Sequence, residues 1–290
     1  MKKTQSNYPY YFILPAFLVY LLAYITPTVM GFILSFTDWN AYSSTINFIG
    51  IVQFQRVFAD EVVWTSFKNT IFYAIGTTFL QNFFALGLAL LLDNKYKSIK
   101  FFRSIFFFPC ILSALIVSYL FSAIFYPTGL FNNILKSVGF ANIKIQWLAQ
   151  ADVSMYVIIF VAAWFGFGIL MMIYLSALQS IPEELLHAAR LDRASGWQIL
   201  RHVKLPLIAS GFTINIVYSL INSLKVFAVV LLLTNGGPGH VTEVVNTLIF
   251  KEFTQGRYGY ATSIGMLLFI FICLVVFPLI YFLRKREIEA

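Results

Sequence analysis

Five polar side chains recur at helical spacing inside an apolar stretch near the C-terminal third of the chain. They are Asn215, Tyr218, Ser219, Asn222 and Lys225. Separations of three and four residues place them on one face of a helix, where amides, hydroxyls and an ammonium group can hydrogen-bond to a polar solute. Lys225 is expected to face a cavity or a partner group, because lipid does not solvate a charge. The pattern predicts a solute-binding face; the alternative is that the Asn and Ser side chains join neighbouring helices.

The most polar long segment, residues 179–206, reads QSIPEELLHAARLDRASGWQILRHVKLP. Ser180 and Glu183 match a capping box and predict a helix over 182–194. A second short helix is expected over 197–202. With one face of small Ala side chains and one charged face, such a helix pair can fill a groove on a cytoplasmic partner protein. The alternative is an amphipathic linker that lies on lipid headgroups.

The composition identifies the environment that holds these two features. Of the 290 residues, 60% are hydrophobic and 11% are charged, whereas soluble domains have about 45–50% apolar and about 25% charged residues. This composition excludes a soluble enzyme, a disordered chain and a fibrous repeat, and it predicts a membrane protein. The net charge is +8, but the Lys and Arg residues flank apolar stretches, which indicates contact with membrane lipid rather than with nucleic acid.

Six apolar stretches are each long enough to cross a hydrocarbon core of about 30 Å as a helix. They are Tyr10–Phe36, Thr70–Leu92, Ile105–Tyr126, Met155–Leu178, Leu207–Leu233 and Tyr260–Leu283. The sequence therefore predicts an all-α integral membrane protein with six transmembrane helices and one transmembrane domain over residues 1–290.

Basic residues are distributed unequally between the two sides that these stretches define. One side carries Lys2, Lys3, Lys95, Lys97, Lys100, Arg103, Arg190, Arg193, Arg201, Lys204, Arg284, Lys285 and Arg286. The opposite side carries Arg56, Lys68, Lys136, Lys144, Lys251 and Arg257. Because cytoplasmic loops are enriched in Lys and Arg, both termini are expected in the cytoplasm.

No residue pattern indicates catalysis or a bound metal. Cys110 and Cys273 lie in separate apolar stretches and are expected to be free thiols, and the three histidines lack metal-ligand spacing. The sequence has no phosphate-binding G-x-x-x-x-G-K-[ST] loop, no HExxH and no GxSxG motif. We expect no catalytic residue, no metal site and no cofactor in this chain.

The 179–206 segment resembles the EAA loop of binding-protein-dependent ABC transporter permeases. The residues that agree with the sugar-permease version of this motif are Ala188, Ala189, Asp192, Ala194, Ser195, Trp197, Leu205 and Pro206. Two positions differ, since His187 stands where Glu is usual and Arg193 stands where Gly is usual. Gly196 is expected to take over the bend.

Further segments resemble carbohydrate permeases in the same order along the chain. They are FIGIVQFQRVFAD with FKNTIFYA (48–60 and 67–74), FFRSIFFFP (101–109) and LTNGGPGHVTE (233–243). The chain is identified as a member of the oligosaccharide and glycerol-phosphate, or maltose-type, class of these permeases.

The resemblance implies the fold of a type I ABC importer permease and a division of labour between several chains. A second homologous permease completes a heterodimeric pore, two cytoplasmic ATP-binding subunits bind ATP and Mg²⁺, and an extracytoplasmic solute-binding protein delivers a sugar. The resemblance also implies which residues couple this chain to the ATPase. They are Glu183, Glu184, His187, Ala188, Ala189, Asp192, Arg193 and Gly196.

The resemblance also makes the polar face in the fifth stretch the best candidate for the sugar site. Trp164 is added because an indole can stack on a sugar ring, and Gln81 and Asn82 are weaker candidates. The expected location is the bacterial plasma membrane.

Two alternative functions use the same features differently. An ion-coupled secondary transporter of a polar solute should carry acidic residues inside its spans, and the six stretches contain none. A membrane-embedded enzyme should carry a nucleophile with its base, or a metal site, and the sequence shows neither.

Overall fold

The computed structural model describes residues 10–94, 96, 98–139 and 145–285. Within these ranges the chain is helical apart from loops and one isolated antiparallel bridge between Thr37 and Phe48. The predicted all-α membrane fold is confirmed. The basic residues Lys2, Lys3, Lys95, Lys97, Lys144 and Arg286, on which part of the predicted orientation depends, lie outside the described residues.

The helices follow one another with short connections. In chain order they are α1 (Leu14–Leu34), α2 (Val52–Ala59), α3 (Glu61–Leu92), α4 (Ile99–Phe107), α5 (Ala114–Phe125), α6 (Leu130–Ser137), α7 (Ala151–Gln179), α8 (Glu183–Leu191), α9 (Gly196–Leu207), α10 (Ala209–Leu224), α11 (Ala228–Leu233), α12 (Val245–Thr254) and α13 (Tyr258–Arg284). A π-helical turn interrupts α1 at Leu21–Ile25 and α9 at Leu200–Lys204.

Five segments in the described part of the chain are long and apolar enough to cross a membrane. They are α1, α3, the segment Ala114–Ser137, α7 and α13. The sixth candidate is the pair α9 and α10, whose axes meet at 66°. The 29 residues of α7 correspond to a length of about 43 Å, which exceeds the lipid core.

The chain divides into two compact units, each with its own contacts. In the unit made of Met1–Asp60 and Ile249–Leu268, the backbone after α1 is bonded to the start of α13, since Gly259 N donates to Trp39 O at 2.7 Å and Ser263 Oγ donates to Ser35 O at 2.8 Å.

In the unit made of Glu61–Leu248 and Phe269–Ala290, α3 and α7 pack along their length and α10 packs beside them. Small side chains such as Ala85 and Ala89 allow this close approach, and Tyr174 and Leu170 are buried behind them. The helices that position the candidate site therefore pack around two apolar cores, both of which include side chains of α3 and α7.

The third apolar stretch is not the single helix that the sequence predicts. Its first helix, α4, ends in a 3₁₀ turn over Phe108–Ile111, and Leu112 has an extended backbone with ψ of 154°. Pro109 lacks the N–H that would continue the helix. Ser113 then caps α5, because its side chain accepts a hydrogen bond from Ile116 N.

The fifth apolar stretch is also broken, at two places. The chain bends at Ile208, between α9 and α10, and α10 ends at Leu224. Phe227, with φ of −144° and ψ of −68°, precedes α11. Pro206 lies two residues before the first bend and is a local sign of it, whereas the break after Leu224 contains neither Pro nor Gly.

We predict that Gly168→Ala destabilises the bundle. A Cβ at this position of α7 would lie 2.8 Å from Phe106 O and 3.0 Å from Cys110 Sγ, so α7 and the broken stretch must separate, at a cost of about 1–3 kcal/mol. Detergent-purified protein should show a lower melting temperature. Gly87→Ala is the matched control, because among the described residues nothing lies within 4 Å of a Cβ there; an equal loss in both variants would contradict this explanation.

Candidate solute cavity and docking segment

A cavity of about 290 Å³ lies among α3, α5, α7 and α10. The polar side chains in its wall are Tyr73, Thr77, Gln81, Tyr218, Ser219, Asn222 and Ser223. Three of them, Tyr218, Ser219 and Asn222, belong to the face that the sequence predicts to bind solute. Phe165 and Phe227 add aromatic surface, so the cavity offers hydrogen-bonding groups beside flat apolar faces.

Both broken apolar stretches contribute to this same cavity. Cys110 and Ala114 come from the break between α4 and α5, and Val226 and Phe227 come from the break between α10 and α11. At membrane depth, non-helical backbone is tolerated where it is buried in protein or lines a cavity. The cavity therefore gives the two breaks a common structural reason.

A hydrogen-bond network joins three helices directly beside the cavity. Asn82 Nδ2 donates to Ser219 Oγ at 2.9 Å, and Tyr174 Oη donates to Asn82 Oδ1 at 2.8 Å. Asn215 Nδ2 donates to Leu170 O at 3.1 Å, which ties α10 to α7. These residues hold α3, α7 and α10 in fixed register, and they leave Asn222 as an exposed amide on the cavity side.

Three predicted solute-binding residues do not line the cavity. Asn215 is fully buried between helices, which matches the helix-joining alternative. Trp164 packs edge-on against Phe121 with ring centroids 5.1 Å apart. Lys225 is not buried inside a helix; it caps the C-terminus of α10 and its side chain is exposed.

The segment after α7 forms a helix pair, but its caps differ from the prediction. Ser180 Oγ donates to Ala177 O, at the end of α7, and Pro182 occupies the N-cap position of α8. The predicted Ser180–Glu183 capping box is therefore wrong. A complete capping box occurs instead at the start of α9, between Ser195 and Gln198.

The turn between these two helices is formed by Arg193. Its φ of +56° lies in the left-handed region, which Gly adopts without strain. This explains why the resembling loops have Gly at the equivalent position. The expectation that Gly196 takes over the bend is wrong, because Gly196 begins α9.

The helix α8 has no buried side chain. Glu183, Glu184, His187, Ala188 and Asp192 are all exposed, and Ala189 is half-buried beside a notch of about 310 Å³ that also includes Arg193. Large apolar side chains are exposed as well: Leu191 is 85% exposed and Trp197 is 67% exposed. This surface has the composition of a face that another protein covers.

The loop after α11 is held by buried polar contacts. Asn235, Gly236, Gly239 and His240 have positive φ. The carboxylate of Glu243 is completely buried, and Thr247 Oγ1 donates to its Oε1 at 2.5 Å. Asn69 Nδ2 in α3 donates to the carbonyls of His240 and Glu243. This loop is thus fixed to the bundle.

The other unit contains a polar cavity of about 390 Å³ whose wall includes Asp38, Arg56, Asp60 and Arg257. Hydrogen bonds from the Asn47 side chain and backbone N–H lower the pKa of Asp38. No motif predicts this cavity, because its residues are far apart along the chain.

Comparisons with known proteins agree with this architecture. A family profile described as "Binding-protein-dependent transport system inner membrane component" matches residues 4–288. The probable ABC transporter permease protein YurN of Bacillus subtilis (strain 168) is 34% identical over 284 residues, 96% of this chain and 97% of that relative. The probable starch degradation products transport system permease protein AmyD of Thermoanaerobacterium thermosulfurigenes is 29% identical over 279 residues, 96% of this chain and 94% of that relative.

A solved structure has the same arrangement of helices. It is a chain of a bacterial ABC transporter involved in the import of the acidic polysaccharide alginate, with a TM-score of 0.84 and 25% identity, and the match covers 95% of this chain and 94% of that one. The predicted fold of a type I ABC importer permease is confirmed. The broken helices, the cavity between them and the exposed helix pair are thus parts of a multi-pass transport subunit, and the chain belongs to the family of inner membrane components of binding-protein-dependent transport systems.

Proposed function

We propose that this chain is a pore-forming permease subunit of an ATP-driven importer that moves a sugar or oligosaccharide into the cytoplasm. A second, homologous permease completes the pore, two ATP-binding subunits dock on α8 and α9, and an extracytoplasmic solute-binding protein delivers the sugar. Relatives named for starch degradation products and for alginate support a carbohydrate substrate. Both termini lie in the cytoplasm, on the side of α8 and α9 where basic residues are concentrated.

The observation that carries this proposal is the unburied helix α8 with the exposed Leu191 and Trp197 beside it. Burying such a side chain against a partner stabilises the complex by about 1.5–3 kcal/mol. A helix with no buried side chain can be moved by a docked ATPase. We infer that closure of the ATP-binding subunits displaces this segment and switches the cavity from inward to outward access.

The cavity suits a sugar better than an ion or a hydrophobic solute. The hydroxyl of Tyr218 and the amide of Asn222, both exposed, can hydrogen-bond to sugar hydroxyls, and Phe165 can contact the apolar face of a ring. Its wall contains no Asp, Glu, Lys or Arg among the described residues, whereas a proton- or sodium-coupled carrier needs an ionisable group in its pathway.

The proposal is tested with the complete transporter in proteoliposomes. Co-expressed partner permease, ATP-binding subunits and solute-binding protein should copurify with this chain, and radiolabelled oligosaccharide should accumulate only when ATP is present. Accumulation driven by a proton or sodium gradient without ATP would instead support a secondary transporter.

For the docking surface, Ala188→Arg should abolish uptake. Ala188 is exposed on α8, and a long charged side chain there prevents an ATP-binding subunit from closing over the helix. Gln55→Arg, which adds the same side chain at an exposed position of α2, should transport normally. Normal uptake and normal retention of ATPase by Ala188→Arg would remove α8 from the docking surface.

For the cavity, Asn222→Ala should raise the half-saturating sugar concentration about five- to tenfold, because it deletes a hydrogen bond worth about 1 kcal/mol or more. The assembled complex should form in normal amounts, since Asn222 is exposed and its Nδ2 bonds only to Tyr218 O of its own helix. Ile214→Ala is the control, as an exposed residue of the same helix outside the cavity wall. Unchanged uptake kinetics over a panel of sugars would exclude Asn222 from the site.

A further inference from the structure

Four residues fasten the two ends of the helix pair α8–α9 to the ends of the membrane helices. Lys204 Nζ and Asp93 Oδ2 form an ion pair at 2.7 Å. Arg103 Nη2 donates to the backbone oxygen of Leu92, the last residue of α3, at 2.9 Å. The side-chain amide of Gln179 is oriented with its oxygen toward the guanidinium of Arg103. That oxygen accepts hydrogen bonds from Arg103 Nη2 at 2.9 Å and from Arg103 Nη1 at 3.2 Å. We refer to Asp93, Arg103, Gln179 and Lys204 as the clasp.

The clasp joins four segments that are separate in the sequence. Asp93 follows α3, Arg103 lies in α4, Gln179 ends α7, and Lys204 lies near the end of α9. The helix pair begins at Glu183, after the three residues that follow Gln179, and its last turn contains Lys204. The chain just before the helix pair, through Gln179 and Arg103, and the chain near its end, through Lys204, are therefore bonded to the same small region at the end of α3.

The position of α8 depends strongly on its ends because its middle is lightly packed. No side chain of α8 is buried, and the half-buried Leu186 packs against the core of the bundle. A cavity of about 710 Å³ lies behind it, with Asp93, Glu183, His187, Arg190 and Lys204 in its wall. A helix without a buried face is positioned by its attachments, so a displacement of α8 reaches the membrane helices through them.

The ion pair is partly withdrawn from solvent, which makes it stronger than an ordinary surface pair. The exposed fractions are 22% for the Lys204 side chain and 18% for the Asp93 side chain. Exposed ion pairs contribute about 0–1 kcal/mol, and removing one member of a desolvated pair leaves the other charge without compensation.

We propose that the clasp transmits force: it holds the docking helices so that their displacement by the ATPase moves α3, α4, α7 and α10 instead of only bending the connection. Asp93, Arg103, Gln179 and Lys204 are positioning residues, since they lie outside both the wall of the 290 Å³ solute cavity and the exposed surface of α8. This role rests on the proposed function, and its loss should separate ATP hydrolysis from sugar uptake.

The test compares Asp93→Asn and Lys204→Met with the unaltered transporter in proteoliposomes. We expect the number of sugar molecules taken up per ATP hydrolysed to fall at least about fivefold, the factor that about 1 kcal/mol represents, while ATP hydrolysis and assembly persist. Lys204→Arg should keep the normal ratio. Asp152→Asn and Lys100→Met are matched controls, because both residues are exposed and lie outside the clasp.

A normal ratio in both clasp variants would overturn the proposal, and so would a parallel loss of uptake and hydrolysis in complexes that still assemble. If neither single variant assembles, the exchange variant with Asp93→Lys and Lys204→Asp decides. An assembled exchange variant with a restored ratio supports the clasp; one that fails to assemble or keeps a low ratio overturns it.

A second measurement is independent of transport. A spin label at Leu191→Cys, in the full chain with Cys110→Ser and Cys273→Ser in lipid nanodiscs, should become more mobile when Asp93→Asn is added. Equal mobility with and without that change would overturn the clasp. In contrast, if the unaltered transporter takes up no sugar in the presence of ATP, only the proposed function is overturned. The spin label reports whether the clasp holds α8 without any need for transport.

Discussion

The absence of water from the hydrocarbon core is the constraint on which this structure depends. Every backbone N–H and C=O in that region must be paired within the protein, so the apolar stretches become helices. Helices in lipid gain little from hydrophobic burial against each other, and they associate through close contacts and interhelical hydrogen bonds. The network of Asn82, Tyr174 and Ser219 and the close approach at Gly168 provide both kinds of contact.

The same constraint explains where the helices are interrupted. The breaks near Pro109 and near Lys225–Phe227 release backbone groups that lipid cannot satisfy, and both breaks lie at the wall of one cavity. A polar space inside the bundle thus accommodates irregular backbone, and its wall includes Tyr218, Ser219 and Asn222. The helix α8 has the opposite environment, since none of its side chains is buried.

The sequence predicted the cavity face better than it predicted the individual residues. Helical spacing correctly grouped Tyr218, Ser219 and Asn222, but it could not separate them from Asn215, whose amide lies between α10 and α7. The spacing also assumed one continuous helix, which placed Lys225 on the same face. The helix in fact ends at Leu224, and nothing in the local sequence marks that end. In the segment 179–206, the motif indicated a helix pair, and Ser195 with Gln198 has the S-x-x-Q spacing of the capping box that the structure shows. The positive φ of Arg193, in contrast, required the folded backbone.

By itself, the sequence determined the membrane environment, the number of apolar stretches and the family. Hydropathy, charge distribution and short motifs are local properties that do not depend on how the helices pack. Only the tertiary structure decided which polar residues line the cavity, which join helices, and which fasten the docking segment. Asp93 and Lys204 are more than a hundred residues apart and meet at 2.7 Å. Pairings of this kind depend on how helices pack against one another, and no periodicity within a single segment encodes them.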